Sequence, residues 1–83
     1  MWMAVDRIEG EYVILIDDSG KAHELPLQAY LQTVGQPPVE THVLHCTMTD
    51  GVIASATYDP RETQRRLDAA RARLERLKQR SKP

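Results

Sequence analysis

The chain has one cysteine, no phenylalanine and only four glycines in 83 residues. A single cysteine, Cys46, excludes an intramolecular disulfide framework and a cysteine-based zinc knuckle. No apolar run approaches the roughly 18–20 residues that a bilayer-spanning helix needs. The opening Met1-Trp2-Met3-Ala4-Val5-Asp6 has neither a basic n-region nor an apolar h-region, so no secretory leader is predicted. The expected setting is a reducing cytoplasm. The glycines at 10, 20, 35 and 51 stand singly, which leaves no Gly-rich phosphate cradle. A chain of this length buries only about 60% of its unfolded surface. That excludes a doubly wound dinucleotide fold, a (β/α) barrel and any multidomain enzyme.

The formal net charge of −1 hides a strong segregation of sign. Residues 1–60 carry nine acidic side chains against Arg7 and Lys21, a balance of −7. Residues 61–83 carry nine basic side chains against Glu62, Asp68 and Glu75, a balance of +6. Such asymmetry points to two segments with different tasks: an acidic β-rich part over 1–59, and a basic amphipathic helix with a short tail over 60–83.

The hydrophobic pattern of the first part predicts strands. Residues 2–9 form the first, and Tyr12-Val13-Ile14-Leu15-Ile16, five consecutive β-formers, the second, buried on both faces. Asp17-Asp18-Ser19-Gly20-Lys21 is a turn whose carboxylates cap backbone N–H groups. A third strand from Ala22 stops at Pro26, and Leu27 to Leu31 can form one helical turn that plugs the core. Gly35-Gln36-Pro37-Pro38 is loop. Residues 42–49 and 52–58 form the fourth and fifth strands around Asp50-Gly51, which suits a type I′ hairpin. Asp59-Pro60-Arg61-Glu62 is a helix start, with Asp59 as N-cap, Pro60 at the first helical position and Glu62 at the third. The helix runs to about Gln79, a rod of about 30 Å. The expected fold is mainly β with a C-terminal α-helix: a small five-stranded antiparallel SH3-like barrel or rolled sheet, followed by one long helix.

Several of these segments carry a resemblance. Ala4-Val5-Asp6-Arg7-Ile8-Glu9-Gly10 with Val13-Ile14-Leu15, the Thr49-Asp50-Gly51-Val52-Ile53 hairpin, and the Asp59-Pro60 boundary with Glu62 and Thr63 resemble a family of short bacterial proteins known as domain of unknown function 3006. The resemblance covers most of residues 3–80. It departs at Thr41-His42, where a Gly-Asp pair is expected ahead of Val43-Leu44. It implies the fold and a bacterial setting, and brings no activity, cofactor or catalytic residues.

Catalytic and metal chemistry find little support in the residue pattern. Asp17 and Asp18 are adjacent and diverge, whereas paired-carboxylate catalysis needs two groups facing one substrate. His42, His45 and Cys46, with His23 as a fourth candidate, have the residue types of a zinc site. Alternation along a strand, however, sends His45 away from His42 and Cys46. Ser19 and Ser55 lie in no triad or elbow motif. The aromatics Trp2, Tyr12, Tyr30 and Tyr58 are scattered, as core and rim residues are. The sequence therefore predicts no enzyme, no cofactor and no metal.

The helix is the most informative segment. Leu67, Ala70, Leu74 and Leu77 recur at 3-4-3 spacing, with Pro60 and Thr63 continuing the phase backwards. This stripe can fold onto its own sheet, pair with a second copy, or bind another protein. The expected function is a small non-enzymatic protein-interaction module, self-associating, with Leu67, Ala70, Leu74 and Leu77 as apolar anchors. Arg66, Arg71, Arg73 and Arg76 are its expected electrostatic rim. In a dimer the basic helix of one copy can lie near the acidic barrel of the other. The alternative is a nucleic-acid-binding accessory protein whose arginine-rich helix contacts phosphates.

Overall fold

The computed structural model describes residues 1–80. Strands β1 (Trp2–Glu9), β2 (Tyr12–Asp17), β3 (Ala22–Pro26), β4 (Val43–Thr49) and β5 (Val52–Tyr58) form one antiparallel sheet in the order β3-β2-β1-β4-β5. Helix α1 (Leu27–Val34) connects β3 to β4, and helix α2 (Pro60–Arg80) follows β5. The strands lie within a residue of their sequence-based bounds. Helix α1 is two turns long rather than one. It ends at Gly35, whose φ of +82° suits a residue without Cβ, and whose N–H donates to the Leu31 carbonyl at 3.0 Å.

The sheet is rolled but not closed. Strand β1 is its hinge, pairing with β2 along most of its length and with β4 only through Trp2, Met3 and Ala4. Asp6 has no direct partner on β2: the register skips it between Val5–Leu15 and Arg7–Ile14, and such a bulge bends the strand. A fully closed barrel needs β3 paired with β5, and the two remain separate edges. The reason lies in the sequence between them. Pro26 ends β3 and leads into α1, which packs against β2, β3 and β5. From α1 the fully buried Tyr30 reaches the core of Met3, Val5, Val13, Leu15, Leu25, Leu44, Cys46 and Ala56. A helix thus stands where the last strand pairing of a barrel would be.

Both faces of the centre of β2 are buried, as its run of β-formers predicts. Val13 and Leu15 belong to the core, and Ile14 lies on the opposite face at 3% exposure. The Asp50-Gly51 hairpin has φ of +52° and +79°, the left-handed pair that a type I′ turn requires.

Thr41 is less expected. Its φ is +80°, in the region that favours glycine, although it is β-branched. The turn is held in place by hydrogen bonds from Thr41 N–H to the Val5 carbonyl (3.1 Å), His42 N–H to Val39 (3.0 Å) and Val5 N–H to His42 (2.9 Å). A left-handed non-glycine residue costs about 1–2 kcal/mol, and extra freedom in the unfolded state offsets about 0.5–1 kcal/mol of the benefit from glycine. Thr41→Gly is accordingly expected to stabilise the fold by about 0.5–1 kcal/mol, read as a higher urea midpoint at unchanged slope. An unchanged or lower midpoint contradicts this account.

Candidate interaction surface

The surface starts with the way α2 is attached. Asp59 accepts the Glu62 N–H at Oδ1 (2.9 Å), as an N-cap does, and its carbonyl takes the first helical hydrogen bond from Thr63 N–H (3.1 Å). The reciprocal half of a capping box is not formed. The Asp59 N–H instead donates to the Val43 carbonyl at 2.9 Å. The Glu62 carboxylate instead accepts from Arg65 Nε (2.6 Å) and Nη2 (2.8 Å) and from Arg66 Nε (2.8 Å).

Thr63 is the buried polar residue at this junction, 5% exposed. Its hydroxyl accepts the Val43 N–H at 2.8 Å and donates to the Asp59 carbonyl at 2.8 Å. One turn on, Arg66 Nη2 donates to Asp18 Oδ1 at 3.1 Å, tying α2 to the β2–β3 turn. The two adjacent aspartates therefore divide their work. Asp17 holds the turn, accepting from Ser19 N–H, Ser19 Oγ and Lys21 N–H at Oδ1 and pairing with His23 at Oδ2 (2.8 Å). The His23 and Ser19 hydrogen bonds hold its carboxyl well below the ordinary range. Asp18 belongs to the helix contact. The sequence puts Thr63 on the apolar phase and both aspartates in the turn as caps of backbone N–H groups; the hydrogen bonds give that capping role to Asp17, and Asp18 instead accepts from Arg66.

Beyond this clamp α2 leaves the sheet. The molecule measures 51 × 24 × 22 Å, and a 21-residue helix accounts for about 31 Å. Exposure rises outward along the stripe: Leu67 37%, Leu74 54% and Leu77 60%, with Ala70 also exposed. The stripe is thus not folded back along the sheet.

The expected rim separates into three parts. Arg66 is half-buried and engaged within the chain by Glu62 and Asp18. Arg71 and Arg73 lie three or four residues from stripe members and so flank it. Arg76 is three or four residues from none of them and faces away. Arg71, Arg73 and Arg76 make no hydrogen bond or ion pair among the described residues. Asp68 accepts from Gln64 (2.9 Å).

The His/Cys cluster disperses. His23 pairs with Asp17, His45 meets the Trp2 ring edge-on at 4.9 Å, His42 stacks on Tyr58 at 4.3 Å, and Cys46 is in the core. No group of three or more His, Cys, Asp or Glu among the described residues converges as a metal site does. Ser19 and Ser55 hydrogen-bond Asp17 and Thr47. A solvent-open cleft of about 460 Å³ lies between β3 and the β4–β5 hairpin, lined by Leu25, Met48, Val52 and Ile53 among others. No described helix is long and apolar enough to cross a membrane.

Comparison with protein-family models, with curated proteins and with solved structures gives no significant match. The family resemblance accordingly rests on the quoted motifs.

Two outcomes follow from the clamp. Thr63→Val removes the hydroxyl and strands the buried Val43 N–H, for an expected loss of about 1–3 kcal/mol in urea unfolding. Thr63→Ser is expected to restore most of it, and equal losses in both variants refute the hydrogen-bond account. Glu62, held down to about 2 by Arg65 and then Arg66, contributes stability that is present above its ordinary value of 4.5. That contribution is lost as pH falls from about 4.5 towards about 2, the sign for a depressed carboxyl. Melting temperature is expected to fall across this window, and less steeply in Glu62→Gln. Identical slopes in both proteins exclude a role for Glu62.

Proposed function

We propose that this chain is a small non-enzymatic protein-interaction module, self-associating, whose contact surface is the projecting part of α2. The single observation that carries this is the stripe itself: Leu67, Leu74 and Leu77 exposed on a helix whose base is clamped to the sheet. Large apolar side chains at helical spacing on a projecting rod are what partner surfaces bury. Membership of the family known as domain of unknown function 3006, and a bacterial cytoplasmic setting, belong to the same proposal. The glycine-like φ of Thr41 supports the family assignment. Arg71, Arg73 and Arg76, without an ion pair among the described residues, favour phosphate contacts. A protein partner is nevertheless preferred, because a helix held to phosphates by arginine leaves Leu74 in water, and the −7 segment repels a polyanion.

The test is sedimentation velocity at micromolar concentration, in low and high salt, on the wild type and on Leu74→Asp. The wild type is expected to associate, more weakly in high salt. A buried leucine contributes about 1.5–3 kcal/mol, and 1.4 kcal/mol is about tenfold, so Leu74→Asp should weaken association at least about tenfold. Its circular dichroism should be unchanged, since the site is half-exposed. A monomeric wild type, or a variant that associates equally well, refutes the proposal.

A further inference from the structure

Every charged residue three or four positions from a member of the leucine stripe is a cation, and among those with described side chains these are Arg66, Arg71, Arg73 and Lys78. Asp68 and Glu75 stand at neither spacing from any stripe residue. Both borders of the stripe are therefore basic. Two such helices laid together, parallel or antiparallel, set cation against cation on each side of the seam. Flanking charges of one sign select against self-pairing and in favour of a partner of opposite sign.

That opposite sign is present on the same chain. Directly opposed residues share a face of a sheet, and alternate residues along a strand share it too. The registers Arg7–Ile14, Glu9–Tyr12, Ile14–Glu24 and Tyr12–Pro26 thus place Tyr12, Ile14, Glu9, Glu24 and Arg7 on the outer face of β1–β2–β3. Tyr12 is 46% exposed, and Glu9 and Glu24 are exposed on either side of it. Arg7, the cation on this patch, is bound by Asp6 and Glu9. Glu11 adds a further carboxylate at the adjoining turn. Ile14 is itself buried, so the open apolar centre is Tyr12, and it carries an acidic border, the reverse of the stripe. Sizes agree as well. From Leu67 to Leu77 the helix rises about 15 Å, and a five- or six-residue strand spans about 17–20 Å. One contact of this charge pairing already exists within the chain, where Arg66 of the helix meets Asp18 of the β2–β3 turn at 3.1 Å.

We propose that the leucine–arginine stripe of α2 seats on the acidic-bordered outer face of β1–β2–β3 of a second copy, centred on Tyr12, rather than against a second α2. This rests on the self-association proposed above and names its geometry. A reciprocal pair of such contacts closes a two-fold dimer.

The experiment is a charge swap read by sedimentation velocity. One variant reverses the sheet (Glu9→Lys with Glu24→Lys), the other reverses the helix (Arg71→Glu with Arg73→Glu). All four residues are exposed, and circular dichroism verifies that each variant folds. Each variant alone is expected to lose association at least tenfold. An equimolar mixture is expected to regain a heterodimer, because the acidic helix then meets the basic sheet and the basic helix the acidic one. If the sheet variant associates like the wild type while Leu74→Asp does not, α2 is the interface but its seat is elsewhere, and this inference falls alone. If both variants lose association and the mixture fails to recover it, the inference also falls. A monomeric wild type removes both this geometry and the self-association on which it rests.

Discussion

The hydroxyl of Thr63 sits between two backbone groups, the Val43 N–H and the Asp59 carbonyl, in a site from which water is excluded. Val43 opens β4 and Asp59 ends the run out of β5, so one side chain joins both ends of that hairpin to the first turn of α2. The direction of the helix follows from this joint. Arg66 on Asp18 adds a second point one turn further along, and two points fix an axis. Everything outward of Leu67 is then carried away from the sheet by geometry alone. A buried hydrogen-bonded joint is costly to break, because it leaves an N–H without a partner. The exposed Arg66–Asp18 pair adds direction more than stability, since pairs in water are worth little.

The rolled sheet depends on a comparable substitution of one element for another. Strand β3 is short and ends in proline, so it offers β5 little to pair with. Helix α1 fills the opening and inserts Tyr30, whose burial raises the phenol's pKa and whose hydroxyl has no hydrogen-bond partner among the described residues. Burying a hydroxyl without a partner is unfavourable. The ring's apolar area is the compensating gain, and it closes the core that strand pairing leaves open.

Much of this was legible in the sequence. The five strands, the Asp50-Gly51 turn, the Asp59 cap and the length of α2 were all legible, because each depends on local chemistry within a few residues. What was not legible depends on neighbours distant in sequence. A capping box at Asp59 requires a free Asp59 N–H and a free Glu62 carboxylate, and tertiary contact with Val43 and two arginines removes both. Asp17 and Asp18 look alike in sequence, and only the approach of α2 distinguishes them. Whether the sheet closes is decided by α1, whose second turn was not evident from Leu27-Gln28-Ala29-Tyr30. For the candidate site, the stripe and its charge were evident. The diversion of Arg66 inward needed the structure, whereas the rearward position of Arg76 follows from helical spacing once the helix is continuous.

The projecting helix also has a thermodynamic character that suits an interaction surface. An isolated helix of fourteen residues is marginal in water, because the first turn fixes several residues for one hydrogen bond. Here the first turn is built by the sheet, through Asp59, Thr63 and Arg66, so the nucleation cost is met inside the domain. Propagation then relies on residues of good helical propensity: Ala69, Ala70, Ala72, Leu74, Leu77 and the arginines, with no glycine or proline among them. The outer turns are therefore helical without packing against their own sheet, and little of the energy released on burying the leucines is diverted into ordering the chain. A preformed helix of this kind binds more tightly per unit of apolar area than a segment that must fold on contact. The same clamp that aims the stripe thus also prepares it, so the proposal that the stripe is a contact surface makes the buried hydroxyl of Thr63 a determinant of its affinity from more than two turns away.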